Sequence, residues 1–261
     1  MVTTIAMQPR PAFIAAAGIP PLPALARLAL LLDLDGTLLD LAPAPAEVQV
    51  PPELPDLLGR LDFRLGGALA LVSGRTIEAI TALLPGLGVA VAGEHGAALR
   101  CRSWLPIERA PLPELPGRWR EAARGLAAAY PGLFLEEKPH GLVLHFRCAE
   151  GAGPALGTAL EGLLAASGEP FVLVPAAMAW EIRPRGVDKG TAVHALLARR
   201  PFAGRLPVFV GDDVTDEDGM RAARDLGGFG LRVAPTFGDA AGVRGWLGRL
   251  AAADESRKER P

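Results

Sequence analysis

Five short apolar runs punctuate the chain, at 28–32, 68–72, 89–92, 208–210 and 229–233. The first four stop abruptly at Asp33, Ser73, Gly93 and Gly211-Asp212. Those four are continuously apolar rather than alternating, as a strand covered on both faces requires. Helical patterns fill the intervals, at 52–61, 76–84, 189–199 and 217–226. Strands alternating with helices predict an α/β fold, a Rossmann-like doubly wound parallel sheet. In such sheets ligands gather beyond the carboxyl ends of the strands, where those polar residues fall.

The middle of the chain follows another rhythm. A helix is predicted over 114–130, then hairpin strands at 133–138 and 141–147. A second helix at 154–166 precedes strands at 171–174 and 178–183. Helix, two strands, helix, two strands reads as a small α+β unit inserted into the main sheet. The expected layout is a loose leader over 1–25, a core of 26–103 and 185–252, the insertion over 104–184, and a tail over 253–261.

Composition narrows the function. The 261 residues are 50% hydrophobic with a formal net charge of -2, which excludes general disorder. No basic block supplies attraction to nucleic acid or to a membrane surface. The apolar run at 26–32 ends in acid too soon for a membrane span. The patch at 12–19 is bracketed by Pro11, Pro20, Pro21 and Pro23, unlike a secretory signal, so the expected compartment is the cytoplasm. Cys101 and Cys148 have no metal-like or redox-like spacing and read as reduced thiols. Among 27 basic residues only 138, 189 and 258 are lysine. The two interior ones, Lys138 and Lys189, stand out as places that need a compact ammonium.

The densest chemistry is Asp33-Leu34-Asp35-Gly36-Thr37 at the end of the first run. Two carboxylates at i and i+2 share a side while the chain is extended. Such a pair is costly unless a cation lies nearby, and Mg²⁺ suits an all-oxygen set. Asp212, Asp213, Asp216, Glu217 and Asp218 form a second acidic group beside the fourth run. They suit a helix N-terminus, but their crowding also calls for a cation. No P-loop is present, and Gly86-Leu87-Gly88 does not continue into a dinucleotide fingerprint.

This segment resembles the first signature of the haloacid-dehalogenase superfamily of aspartyl-phosphate enzymes. The further signatures follow in order: Ser73-Gly74-Arg75, Lys189, and Gly211-Asp212-Asp213-Val214-Thr215-Asp216, so that the resemblance spans 28–235. It implies that Asp33 is a nucleophile and Asp35 an acid and base. It further implies that Ser73 and Lys189 bind the phosphoryl group. Asp33, Asp35 and Asp212 would hold Mg²⁺, supported by Asp213 and Asp216. The inserted unit then corresponds to a mobile cap that excludes water and selects the leaving group.

Gly93-Glu94-His95-Gly96 and Glu181-Ile182-Arg183-Pro184 are similar to segments of the trehalose-6-phosphate phosphatase family. That similarity implies a disaccharide facing Glu94, His95, Lys138, His145 and Glu181, with Arg75 near the seam between core and cap. Relatives often carry Glu-Asp-Lys where this chain has Glu136-Glu137-Lys138. His194 reads as a packed helix residue and His140 as a turn residue. The partners implied are a sugar-phosphate substrate and functional coupling to a trehalose-6-phosphate synthase, with the protein a monomer. The rival readings are a phosphatase for sucrose phosphate or a hexose phosphate, a phosphotransferase, and a sugar-phosphate sensor without turnover. An intact acid/base set counts against the sensor.

Overall fold

The computed structural model of the protein describes residues 18–42, 47–165, 168–176 and 178–252. Residues 1–17 of the expected leader and the tail from 253 lie outside them, while the leader's remaining residues are not loose, since Ile19 and Leu22 are buried in the main hydrophobic cluster. The strands are β1 (Leu28–Leu32), β2 (Leu69–Val72), β3 (Ala90–Gly93), β4 (Ala98–Arg100) and β5 (Glu108–Arg109). The insertion carries β6 (Phe134–Lys138), β7 (Gly141–His145), β8 (Phe171–Ala176) and β9 (Ala179–Pro184), and β10 (Leu206–Gly211) and β11 (Phe229–Arg232) follow. The large sheet has the order β11-β10-β1-β2-β3-β4-β5, parallel from β11 to β3 and antiparallel at its β4 and β5 edge. The smaller sheet, β6-β7-β9-β8, is wholly antiparallel. This is the α/β core with an inserted α+β unit that the pattern predicts.

All five residues of β1 are buried, as are all four of β2, because helices cover both faces of the sheet. Helices α1 (Leu54–Arg64) and α2 (Ile77–Leu83) precede the insertion, whose own helices α3 (Gly117–Ala129) and α4 (Gly153–Ala165) pack on the smaller sheet. After it come α5 (Lys189–Leu197), α6 (Asp216–Asp225), α7 (Val233–Phe237) and α8 (Ala240–Ala252). Two hydrophobic clusters result, one around β1, β2 and β10 and another around Trp119, Leu142, Leu160 and Phe171. Two separate cores are what a main domain and a cap need in order to move as units.

Three elements depart from the pattern. β4 and β5 are too short to register as apolar runs, and β5 lies at Glu108–Arg109, past the expected boundary at 103, yet pairs with β4 in the large sheet. α8 contains Gly242, Gly245 and Gly248, which lower helix propensity. It forms because Val243, Trp246, Leu247 and Leu250 are buried as α8 packs on α1. Tertiary burial overrides local preference there.

Candidate active site

Parallel β1 and β10 end side by side, with Leu32 opposite Val210, and the Asp33 amide donates to the Val210 carbonyl at 2.9 Å. The pairing brings Asp33 beside the loop that opens α6. Lys189 reaches the same point from the first turn of α5. Its position is fixed by a capping box: Asp188 accepts from the Thr191 amide at 2.7 Å, and Thr191 Oγ1 accepts from the Asp188 amide at 3.1 Å. Lys189 Nζ donates to Asp33 Oδ1 and to Asp216 Oδ1, both at 2.6 Å. Thr37 Oγ1 bridges Asp33 Oδ2 at 3.2 Å and Asp212 Oδ1 at 3.3 Å. Gly36, at φ 78°, lies so close that any Cβ would run into the Asp212 carboxylate. Glycine is therefore required both by conformation and by space.

Asp216 is fully buried, and Oδ2 accepts from the Asp212 and Asp213 amides, each at 3.0 Å. With Oδ1 on Lys189, both its oxygens are engaged. Asp213 Oδ1 instead accepts from the Val214 amide at 2.6 Å. Asp33, Asp212 and Asp216 each offer a carboxylate oxygen, and these oxygens lie within 4.8 Å of one another. An all-carboxylate set with a single lysine suits a hard divalent cation.

Ser73 leaves β2, its amide donating to Ala92 O at 2.9 Å, and its Oγ accepts from the Arg75 amide at 3.2 Å. Arg75 holds Asp35 through both oxygens, Nε to Oδ2 at 2.7 Å and Nη2 to Oδ1 at 2.8 Å. After β3 the backbone turns through three left-handed residues, Glu94, His95 and Gly96, with φ 52°, 56° and 107°. That turn lays the His95 ring against Gly74, where a Cβ would meet it at 2.7 Å.

The cap closes over this floor. His95 Nε2 lies 2.8 Å from Glu181 Oε2, and Lys138 Nζ 2.7 Å from Glu181 Oε1. All three residues are buried, so the turn after β3 meets β6 and β9 in one polar knot. His145 Nε2 lies 3.0 Å from Glu136 Oε2. Arg147 Nη1 donates to Ala42 O at 2.6 Å, a direct tie from cap to core. Between the two units lies a cleft of about 200 Å³, lined from below by Asp33, Asp35, Ser73, Arg75, Lys189 and Asp212. Glu136, Lys138, His145, Arg147 and Glu181 line it from above.

Every candidate named in the sequence borders this cleft except Asp216, buried beneath it, and Glu94. The Glu94 carboxylate turns to Arg109 Nη1 at 2.7 Å and lines a smaller cavity behind the His95–Glu181 contact. Thr37, Glu136, Arg147 and Thr215, which stand in or beside the quoted motifs without a role of their own, also lie in the site. Strand alternation could have found Glu136, which shares a face with Lys138 two residues on. Nothing local marks Arg147.

Burial pushes Asp33 well above the usual carboxylate range; Asp216 and Asp212 add to this, and Lys189 opposes it. Burial and its acidic neighbours Asp216 and Asp213 raise Asp212 to about 6. Burial favours neutral Lys189, but Asp33 and Asp216 outweigh it and raise its pKa. One ammonium thus leaves the cluster short of positive charge. On the cap side, burial lowers His95 despite Glu181, so the ring is neutral and donates Nε2–H to that carboxylate. Burial also works against ionised Glu181, yet His95 and Lys138 hold it well below the usual range. With His95 neutral, Lys138 supplies the compensating charge.

The parallel core with its inserted antiparallel unit shares its fold with a solved haloacid dehalogenase-like hydrolase from Bacteroides thetaiotaomicron. The trehalose-phosphatase family matches residues 31–241, and the chain belongs to that family. It is 39% identical over 207 residues to the probable trehalose-phosphate phosphatase of Sinorhizobium fredii, 79% of this chain and 78% of that protein. It is 35% identical over 242 residues to the trehalose-6-phosphate phosphatase of Escherichia coli, covering 90% of each. The solved C-terminal domain of Candida albicans (C. albicans) trehalose-6-phosphate phosphatase superposes with a TM-score of 0.73 at 19% identity, over 87% of this chain and 92% of that one. That likeness is one of fold.

Proposed function

We propose that the protein hydrolyses trehalose 6-phosphate to trehalose and inorganic phosphate, with Asp33 as the covalent nucleophile. The observation that carries this reading is Lys189 Nζ bound to both Asp33 and Asp216 at 2.6 Å, beneath a cleft roofed by the polar face of the cap.

An Asp33 oxygen attacks phosphorus, forming an acyl phosphate while the P–O bond to the sugar breaks. Asp35 gives a proton to the departing sugar oxygen, then takes one from the water that cleaves the acyl phosphate. Ser73 Oγ already accepts from the Arg75 amide, so its own O–H is left to donate to a phosphoryl oxygen. Lys189 opposes the negative charge that gathers there. Mg²⁺ would be held by the Asp33 and Asp212 carboxylates and the Asp35 backbone carbonyl. Asp216 supports them, because its own oxygens are engaged. When bound, the ion neutralises the carboxylates around the phosphoryl group and polarises its oxygens.

The cap reads the sugar. Lys138 spends one of its three N–H donors on Glu181, which leaves two for hydroxyls. Glu181, ionised and fixed by His95 and Lys138, accepts from hydroxyls through its remaining lone pairs. His145, tied to Glu136, presents an imidazole edge to the same space.

Phosphate release with magnesium, measured across trehalose 6-phosphate, sucrose 6-phosphate and glucose 6-phosphate, tests the reading. A site built on hydroxyl hydrogen bonds should favour trehalose 6-phosphate by roughly 10²-fold or more in kcat/KM. Equal turnover of the three would remove the disaccharide assignment.

A further inference from the structure

The small cavity behind the His95–Glu181 contact has a volume of about 20 Å³. That is room for one water molecule, which needs roughly 10–15 Å³. Its walls are polar: Glu94 and His95 border it from the turn after β3, and Glu181 and Arg183 from β9. Glu181 and Arg183 are two residues apart on the strand and so share a face, which brings both to the seam between cap and core. His95 Nδ1 and Arg183 Nε and Nη1 are buried and have no hydrogen-bond partner among the described residues. The two residues are only 6% and 8% exposed, so bulk solvent does not serve those atoms. Arg183 Nη2 lies 3.9 Å from Asp218 Oδ2, an ion pair too long for a hydrogen bond.

The His95 ring cannot turn away to find a partner. Its amide donates to Ser73 O at 3.0 Å, its ring lies against Gly74, and Nε2 faces the Glu181 carboxylate at 2.8 Å. A carboxylate only accepts, so Nε2 carries the proton and Nδ1 of the neutral ring offers a lone pair. The cavity therefore has an acceptor on its core side and donors on its cap side. Water answers both at once. An anion could take the arginine donors but not serve the lone pair, and it would face the Glu94 and Glu181 carboxylates as well.

We propose that this cavity binds one water molecule, which accepts from Arg183 and donates to His95 Nδ1, and that Arg183 is through it a positioning residue for Glu181. The water occupies the Nδ1 side of the ring, so Nε2–H stays aimed at the carboxylate. Glu181 then keeps its remaining lone pairs turned to the substrate. Arg183 does not line the cleft and touches no reacting group. The positioning role rests on the sugar-reading role of Glu181 given above; the water site does not.

A crystal structure of the full chain, at a resolution that orders solvent, tests the water directly. The expected result is one water peak within hydrogen-bond reach of His95 Nδ1 and of Arg183 Nε or Nη1. A dry cavity, a direct Arg183–His95 contact or a bound anion overturns the site. The positioning role is read from the preference for trehalose 6-phosphate over a small aryl phosphate, as a ratio of kcat/KM with magnesium present. Arg183→Met removes the donors and should lower that preference about fivefold or more; an unchanged preference overturns the role. In the Glu181→Gln background the same change should cost no more than about twofold. A full loss there means that Arg183 supports the cap independently of Glu181, which overturns the role as well. Arg183→Lys keeps N–H donors and guards against a methionine variant that fails to fold. It should lose less preference than methionine does, and an equal loss overturns the donor role. A wild type without preference for trehalose 6-phosphate discards the disaccharide reading and the positioning built on it, whereas the water site is still decided by its density.

Discussion

Replacing Lys189 by methionine probes the centre of the site through stability. The ammonium is buried and is the shared partner of Asp33 and Asp216, each at 2.6 Å, and both of those are buried as well. Methionine fills similar space but leaves two buried carboxylates facing each other without a cation. Breaking a buried pair by removing one partner costs about 3–5 kcal/mol. For a chain of this size each kcal/mol lowers Tm by roughly 2–4 °C, so the loss should be roughly 6–20 °C in chelator. The loss should also depend on pH. Without Lys189, Asp33 is pushed still higher and takes up a proton in the folded state, so the deficit is largest at pH 8 and shrinks toward pH 5. Magnesium should recover part of it by replacing the missing charge. Calorimetric melts of both proteins at pH 5 and pH 8, with chelator and with magnesium, measure all of this. A Tm within about 2 °C of wild type in chelator at pH 8 would refute the charge argument, since it would mean that the carboxylates need no cation.

Further outcomes can be checked at the same bench. Asp33→Asn should lower kcat by roughly 10⁴-fold or more while the melt and circular dichroism stay native, and appreciable residual turnover would rule out the covalent route. Glu181→Gln should lower kcat/KM for trehalose 6-phosphate about 10–100-fold and leave a small aryl phosphate within about threefold, because the carboxylate sits on the cap strand β9 and not among the groups proposed to hold the phosphoryl group. Equal losses on both substrates would make Glu181 structural. The Tm gained on adding magnesium should widen as pH rises through about 6: Asp33 and Asp212 are raised in the chelated fold, so the folded state binds extra protons and loses stability as they ionise. His95, lowered by burial, works in the opposite sense with or without the metal and so cancels from that difference. A magnesium effect that stays constant from pH 5 to pH 8 would contradict the assignment.

Much of this was legible in the sequence, because its strongest signals are local. A continuous apolar run as short as 28–32 reads as a covered strand, and an acid placed directly after it then emerges at the sheet's carboxyl edge. That logic located Asp33, Ser73 and Asp212 and the class of fold together. Where propensity and burial conflict, as in glycine-bearing α8, or where a strand is only a residue pair, as in β5, the pattern falls silent. What tertiary structure alone decided is partnership. No spacing reveals that Asp216 spends both oxygens on Lys189 and two amides, that Glu94 turns to Arg109, or that Arg75 grips Asp35 across 40 residues of chain. Hydrogen bonds and charge act over a few ångströms of space whatever the separation in sequence. The order of residues can therefore name the groups at the rim of the sheet, and only the fold can say which of them is already occupied.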